Sequence, residues 1–152
     1  MGYISNIRKK VGHEAVFMPA AACGIVKNDK ILLQKRADTG KWAIHGGSLE
    51  VGEKFIEALE REVEEELGIK PINPEMVGVY SGKDLHFIYP NGDEVFIVST
   101  IYSVKEYEGE LKIDHGEVSE VKWFDFDNLP DNIHEPDIEP IKDIISYNKK
   151  DK

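Results

Sequence analysis

The stretch from Gly47 to Ile69, GSLEVGEKFIEALEREVEEELGI, constrains the fold more than any other part of the chain. Phe55, Ala58, Leu59, Val63 and Leu67 recur at helical spacing, which predicts a helix from near Glu53 to Gly68. Gly68 suits a left-handed C-cap, and Pro71 blocks any continuation. Side chains step about 100° around such a helix. With Glu62 at zero, Glu65 falls at about 300° and Glu66 at about 40°, while the apolar residues lie between about 320° and 140°. These three carboxylates therefore overlap the edge of the core-facing stripe. Glu57, Glu60 and Glu64 point the other way, near 160° to 220°.

Unpaired charge at an apolar edge is costly. Glu62 has a like charge, Glu66, one turn on, and the nearest cation for Glu66 is Lys70 beyond the helix end. Glu57 and Arg61 are spaced to pair at i+4, which helps the helix but not the cluster. Geometry leaves two readings open. The helix is either acidic and merely solvated, or its inner acids await a divalent cation. Oxygen ligands would select Mg²⁺, Mn²⁺ or Ca²⁺ over zinc, and no Cys/His cluster appears.

The rest of the composition narrows the function class. A net charge of −10 argues against a duplex nucleic-acid partner, which needs Lys and Arg to replace phosphate counterions. No apolar run approaches the roughly 18 residues of a membrane span. The first residues, MGYISNIRKK, lack a signal peptide's apolar stretch, and Asn6 stands where a myristoylation pattern wants Ser or Thr. The single cysteine, Cys23, excludes a disulfide framework and favours a cytoplasmic location.

With 152 residues and no repeat or linker, the chain reads as one domain over 1–152. Strands are predicted at Ala20–Val26 and Lys30–Lys35, joined by a turn at Asn28-Asp29. Asp38-Thr39-Gly40 is a further turn, and Trp42-Ala43-Ile44 a short apolar segment leading to Gly46-Gly47. Further strands are predicted at Val77–Tyr80, at Val121–Phe126, and as a hairpin of Leu85–Tyr89 and Glu94–Val104 around Asn91-Gly92. A terminal helix is predicted over Pro136–Tyr147, with Ile138, Ile141, Ile144 and Ile145 on one face. Hairpins dominate, so the expected class is α+β, a mixed sheet flanked by helices.

Gly47, five residues, Glu53, seven residues, then Arg61-Glu62-Val63-Glu64-Glu65-Glu66-Leu67-Gly68-Ile69 resembles the signature of the Nudix hydrolases at every specified position. The flanking strands, Trp42 and the Trp123-Phe124 segment also look similar to the family. The resemblance implies an α/β/α sandwich and Mg²⁺-dependent hydrolysis (Mn²⁺ substituting) of a nucleoside diphosphate linked to another moiety. Glu62, Glu65 and Glu66, with the Gly46 carbonyl, would hold metal, and Glu117 is a further candidate ligand. Arg61 and Glu53 would pair to hold the loop against the helix. The implied chemistry is in-line attack of water at phosphorus, with charge neutralised by metal and a carboxylate taking the proton. Glu65 or Glu66 can be that base, as can a later glutamate, here Glu117 or Glu120. Gln34 and Arg36, at the end of the second strand, are candidates to meet substrate phosphate, or else a plain solvent-exposed strand end.

One position departs from the family pattern. His45 stands where many members have proline, which points to a less rigid loop or to an imidazole that touches substrate. Two rivals share the fold: an isoprenoid diphosphate isomerase, which would need a catalytic cysteine and usually has a degraded signature, and a non-hydrolytic nucleotide sensor or acidic interaction module. Homodimers are common in the family; the chain itself carries no signal for one. Tyr80, Phe87 and Tyr89 could stack on a base, although aromatics in strands more often belong to the core.

Overall fold

A computed structural model describes residues 2–150, so Met1, Asp151 and Lys152 of the expected 1–152 domain lie outside the described residues. A helix α1 (Tyr3–Val11) leads into the long strand β1 (Val16–Lys27), then β2 (Lys30–Arg36), β3 (Trp42–Ala43) and β4 (His45–Ser48). Helix α2 (Phe55–Leu67) follows, then β5 (Lys70–Ile72), β6 (Glu75–Tyr80), β7 (His86–Ile88), β8 (Glu94–Val104), β9 (Glu106–Glu108), β10 (Val118–Asp125) and α3 (Ile138–Lys150). The main sheet runs β10-β2-β1-β8-β6, with β3, β4 and β7 attached to β2, β1 and β8. Among the strands of the described residues, β1 and β8 pair in parallel and the other pairs of this sheet are antiparallel, so the sheet is mixed, as expected.

Period-two alternation along β1 builds both halves of the core. Ala21, Cys23 and Ile25 face α2, where Leu59, Val63 and Leu67 close one apolar cluster with Tyr102 and Val104. Val26, together with Ile31, Leu33 and Ile101 of the neighbouring strands, faces Ile141, Ile144 and Ile145 of α3 in a second cluster. The α/β/α sandwich follows directly. The turn between β1 and β2 has positive φ at both Asn28 and Asp29, the primed geometry whose twist matches a two-residue hairpin.

Several boundaries shift from expectation for local reasons. Helix α2 starts at Phe55 rather than near Glu53, because the Lys54 N–H is capped by the Glu57 carboxylate at 2.8 Å. Phe55, expected in the core stripe, is 37 % exposed; the rest of the first turn is exposed too, and burial begins at Ala58. The Gly68 C-cap takes the expected left-handed conformation (φ 71°, ψ 16°). Helix α3 begins at Ile138, after a 3-10 turn at Glu135–Asp137, and Ile138 is only half-buried. Helix α1 and the β5–β9 pair were not anticipated: α1 buries none of its residues, and the paired strands have three residues each. Among the described residues, no helix is long and apolar enough to cross a membrane.

Candidate active site

Two glycines bring α2 onto the sheet. A Cβ on Gly46, whose φ is +149°, would meet the Ala21 carbonyl oxygen at 2.1 Å. A Cβ on Gly47 would lie 2.5 Å from the Glu62 carboxyl carbon. Glycine at both positions lets β4 lie flat on β1 while the α2 carboxylates come down over its backbone.

Ligand oxygens of Glu62, Glu66 and Glu117 lie within 4.8 Å of one another. Glu66 is 6 % exposed, and its Oε1 accepts from Gln34 Nε2 at 3.0 Å and from the Gly46 N–H at 3.1 Å. Burial pushes its pKa up to about 8, with the neighbouring charge of Glu62 adding to the effect and the Gln34 hydrogen bond opposing it. Desolvation also raises Glu62 and Glu117; Arg61 opposes the shift at Glu62, while Asp114 and Glu65 reinforce it at Glu117. Three carboxylates converging in this way, Glu66 buried, Glu62 half-buried and Glu117 at the surface, fit a hard divalent cation, which would relieve their mutual repulsion.

Glu117 reaches the cluster from the loop before β10. Its N–H bonds the Asp114 carbonyl, and its own carbonyl bonds the Ala37 N–H just beyond β2. Glu65 is outside the three: its side chain is 55 % exposed, and Arg61 Nη1 lies 3.5 Å away. Of Glu62, Glu65 and Glu66, its predicted angle on α2 is furthest from the middle of the apolar stripe, which accounts for its place at the rim. Glu120 is exposed on β10 and sits in register with Lys35, outside the cavity.

Arg61 ties the loop to the helix. Its Nε and Nη2 hold both oxygens of Glu53 at 2.8 and 2.9 Å, Nη2 also reaches the Ser48 carbonyl, and Nη1 bonds Glu62 at 2.8 Å. These bonds hold the Glu53 carboxyl below its ordinary range and raise the guanidinium further. Arg61 therefore pairs with Glu53, Glu62 and Glu65 and not with Glu57, which caps the helix instead. The Lys70 expected near Glu66 makes no ion pair with it; Gln34 and the Gly46 amide occupy that oxygen.

A cavity of about 410 Å³ opens from the carboxylates, and Arg36, Phe87, Tyr89, His134 and Asp137 line another part of it. The Arg36 guanidinium is held by both oxygens of Asp38 at 2.8 and 2.7 Å and lies 5.2 Å from the Phe87 ring centre. Asp137 accepts from the Ile44 N–H at 3.1 Å, two residues before the Gly46 N–H that serves Glu66. Burial pushes Asp137 up to about 7. His134, packed edge-on to Phe87 at 4.6 Å, is lowered to about 3 by burial and by Arg36.

A family model, the NUDIX domain, matches residues 17–144. The chain belongs to the Nudix family. It is 38 % identical over 117 residues to the ADP-ribose pyrophosphatase of Methanocaldococcus jannaschii, a match covering 74 % of this chain and 65 % of that protein. The chain thus spans just under two thirds of that relative's length. It is 34 % identical over 110 residues to the nucleoside triphosphatase NudI of Escherichia coli strain K12, covering 66 % of this chain and 77 % of that protein. Among solved structures, the MutT NUDIX hydrolase of Burkholderia pseudomallei superposes with a TM-score of 0.73 at 26 % identity, covering 85 % and 98 % of the two chains.

Two residues beside the Nudix signature, His45 and Gln34, are read from the structure alone. Both are buried: His45 is fully covered, lies outside the cavity lining and sits in strand β4, which corrects the substrate-touching imidazole, while Gln34 lines the cavity and is not the solvent-exposed strand end. Among the described residues of this Nudix chain, Cys23 lies fully buried in the first core cluster, and burial pushes its thiol up, away from a reactive thiolate. Tyr80 packs against the second cluster and donates to Asp143 at 2.6 Å, whereas Phe87 and Tyr89 line the cavity. Asp137 and His134 were missed. Their only sequence signal is an acid next to Pro136 at a helix start, which reads as ordinary capping.

Proposed function

We propose that this Nudix protein is a divalent-metal-dependent pyrophosphohydrolase, cleaving a phosphoanhydride in a nucleoside diphosphate linked to another moiety. The observation that carries this is the convergence of Glu62, Glu66 and Glu117 on a cavity that also holds Arg36 and Phe87. Glu62 and Glu66, with Glu117, would hold Mg²⁺, with Mn²⁺ as a substitute; in this reading Glu65 and the Gly46 carbonyl would complete the ligand set. Bound there, the cation neutralises the diphosphate and acidifies a water. Arg61 and Glu53 keep Glu62 and the β4–α2 loop in place. Where Glu62 and Glu66 alone hold the metal, Glu117, which reaches the cluster from its own loop and is raised by desolvation, is the proton acceptor. Arg36 offers a charged, oriented guanidinium to a substrate phosphate, and Phe87 an aromatic face to a ring. The fully buried Cys23 and the intact carboxylates weigh against the isomerase and sensor readings.

The test is product identification across ADP-ribose, nucleoside triphosphates, dinucleoside polyphosphates, nucleotide sugars and capped RNA ends, with and without Mg²⁺. ADP-ribose leads the panel because of the relative that carries that name. Absence of Mg²⁺-dependent cleavage across the panel would sink the reading. Arg36→Ala is expected to raise KM about tenfold with little change in kcat, as loss of a ground-state phosphate contact does. The reading includes a cytoplasmic location, in keeping with the single buried cysteine. It also includes a homodimer, supported by an apolar strip where Phe17, 75 % exposed, and Pro19 lie beside Phe96 and Val98. Sedimentation equilibrium is expected to return the dimer mass; a monomer mass would remove this part.

A further inference from the structure

The residue that replaces the family's proline begins a hydrogen-bond chain whose directions can be deduced. His45 Nε2 lies 2.8 Å from the Leu32 carbonyl oxygen. A carbonyl oxygen only accepts, so Nε2 carries the proton. In the neutral ring Nδ1 is then an acceptor. Gln34 Nε2, 2.9 Å from Nδ1, must donate to it. The second N–H of the same amide points at Glu66 Oε1, 3.0 Å away. Turning the amide over would set its oxygen against the Nδ1 lone pair and the Glu66 carboxylate at once. Two acceptors therefore select the amide nitrogen. With the Gly46 N–H also on Oε1, that oxygen has two donors, and Oε2 has no protein partner among the described residues.

We propose that His45 is a positioning residue that acts through Gln34: its Leu32-anchored Nε2–H tautomer aims the Gln34 amide at Glu66 Oε1 and so presents Oε2 of that carboxylate to a divalent cation. The order of dependence runs from the Leu32 backbone to the imidazole, to the amide, to the carboxylate. Each link is buried, which strengthens its hydrogen bonds and makes a lost partner costly. Gln34 reaches Glu66 from β2 and Gly46 reaches it from β4, so the orientation of Glu66 is determined by two strands as well as by its own helix. The inference rests on the reading that Glu66 is a metal ligand.

Two measurements test it. The first needs no substitution: long-range ¹⁵N–¹H NMR on the metal-free protein is expected to show His45 as the Nε2–H tautomer. An Nδ1–H ring would overturn the proposal. The second is a double-mutant cycle on Mn²⁺ affinity, read by EPR with Mn²⁺ alone. Gln34→Met and His45→Phe are each expected to weaken binding about tenfold, in the range of lost partners behind a metal ligand. The double variant is expected to bind no more weakly than the weaker single one, because both remove one pathway. Unchanged affinity in either single variant, or losses that multiply, would overturn it. Glu66→Gln serves as the reference. If that variant binds Mn²⁺ as well as the parent, the metal reading itself has failed; if it binds poorly while the His45 and Gln34 variants bind normally, only the positioning role has.

Discussion

Glu66→Gln is expected to lower kcat/KM on the cleaved diphosphate by about 10³-fold at saturating Mg²⁺, a loss of about 4 kcal/mol of transition-state stabilisation. The side-chain volume is kept, and the amide oxygen can still accept from Gln34 and the Gly46 N–H. The fold is therefore retained, and what is lost is a charge. The carboxamide nitrogen would also present donors where a cation needs an acceptor. Steady-state kinetics of the parent and the variant, alongside their thermal unfolding, provide the measurement. Undiminished turnover would remove Glu66 from the chemistry. Glu62→Gln is expected to act in the same direction, and it also leaves Arg61 Nη1 a neutral acceptor in place of a carboxylate across its 2.8 Å bond.

The second large effect is a dependence of stability on pH. Glu66 moves from an ordinary 4.5 to about 8, and Asp137 from 3.8 to about 7. Between those limits the folded protein holds protons that the unfolded chain has released, so stability falls as pH rises. His45 and His134 act oppositely, but only below their ordinary 6.5, because both are depressed in the fold. Glu53 and Asp38, held low by arginine, act only at still lower pH. The carboxylates therefore dominate from pH 6.5 to 8. The metal-free protein is expected to lose about 2 kcal/mol of stability across that window. Added Mg²⁺ is expected to raise Tm more at pH 8 than at pH 6.5, since the cation binds the ionised acids. Urea denaturation at several pH values, with and without Mg²⁺, measures both. Stability that rises through this window in the metal-free protein would contradict the buried, partly protonated state of Glu66.

Much of this was legible in the chain because it depends on local periodicity. The angles of α2 separate Glu62 and Glu66 from Glu57, Glu60 and Glu64, and they place Glu65 on the outer shoulder where the structure leaves it. Turn chemistry at Asn28-Asp29 and the Gly68 cap are backbone preferences readable one residue at a time. The Arg61 side chain was harder to place. It has several carboxylates within reach, and spacing pointed to Glu57. The structure gives it Glu53, as the family resemblance implied, because Glu57 is taken by the Lys54 N–H and the loop that turns at Val51-Gly52 brings Glu53 back to the guanidinium.

The sequence by itself determined the helix, its two acidic faces, the hairpins and the family, because each rests on contacts between residues close together in the chain. Only the tertiary structure decided which third carboxylate meets Glu62 and Glu66. It is Glu117, brought there by a loop pinned to the end of β2. The same holds for His45, Gln34 and Asp137, whose partners come from strands and a helix remote in sequence. Their roles are set by burial and by the direction of hydrogen bonds, and a side chain acquires both only when the sheet has closed around it.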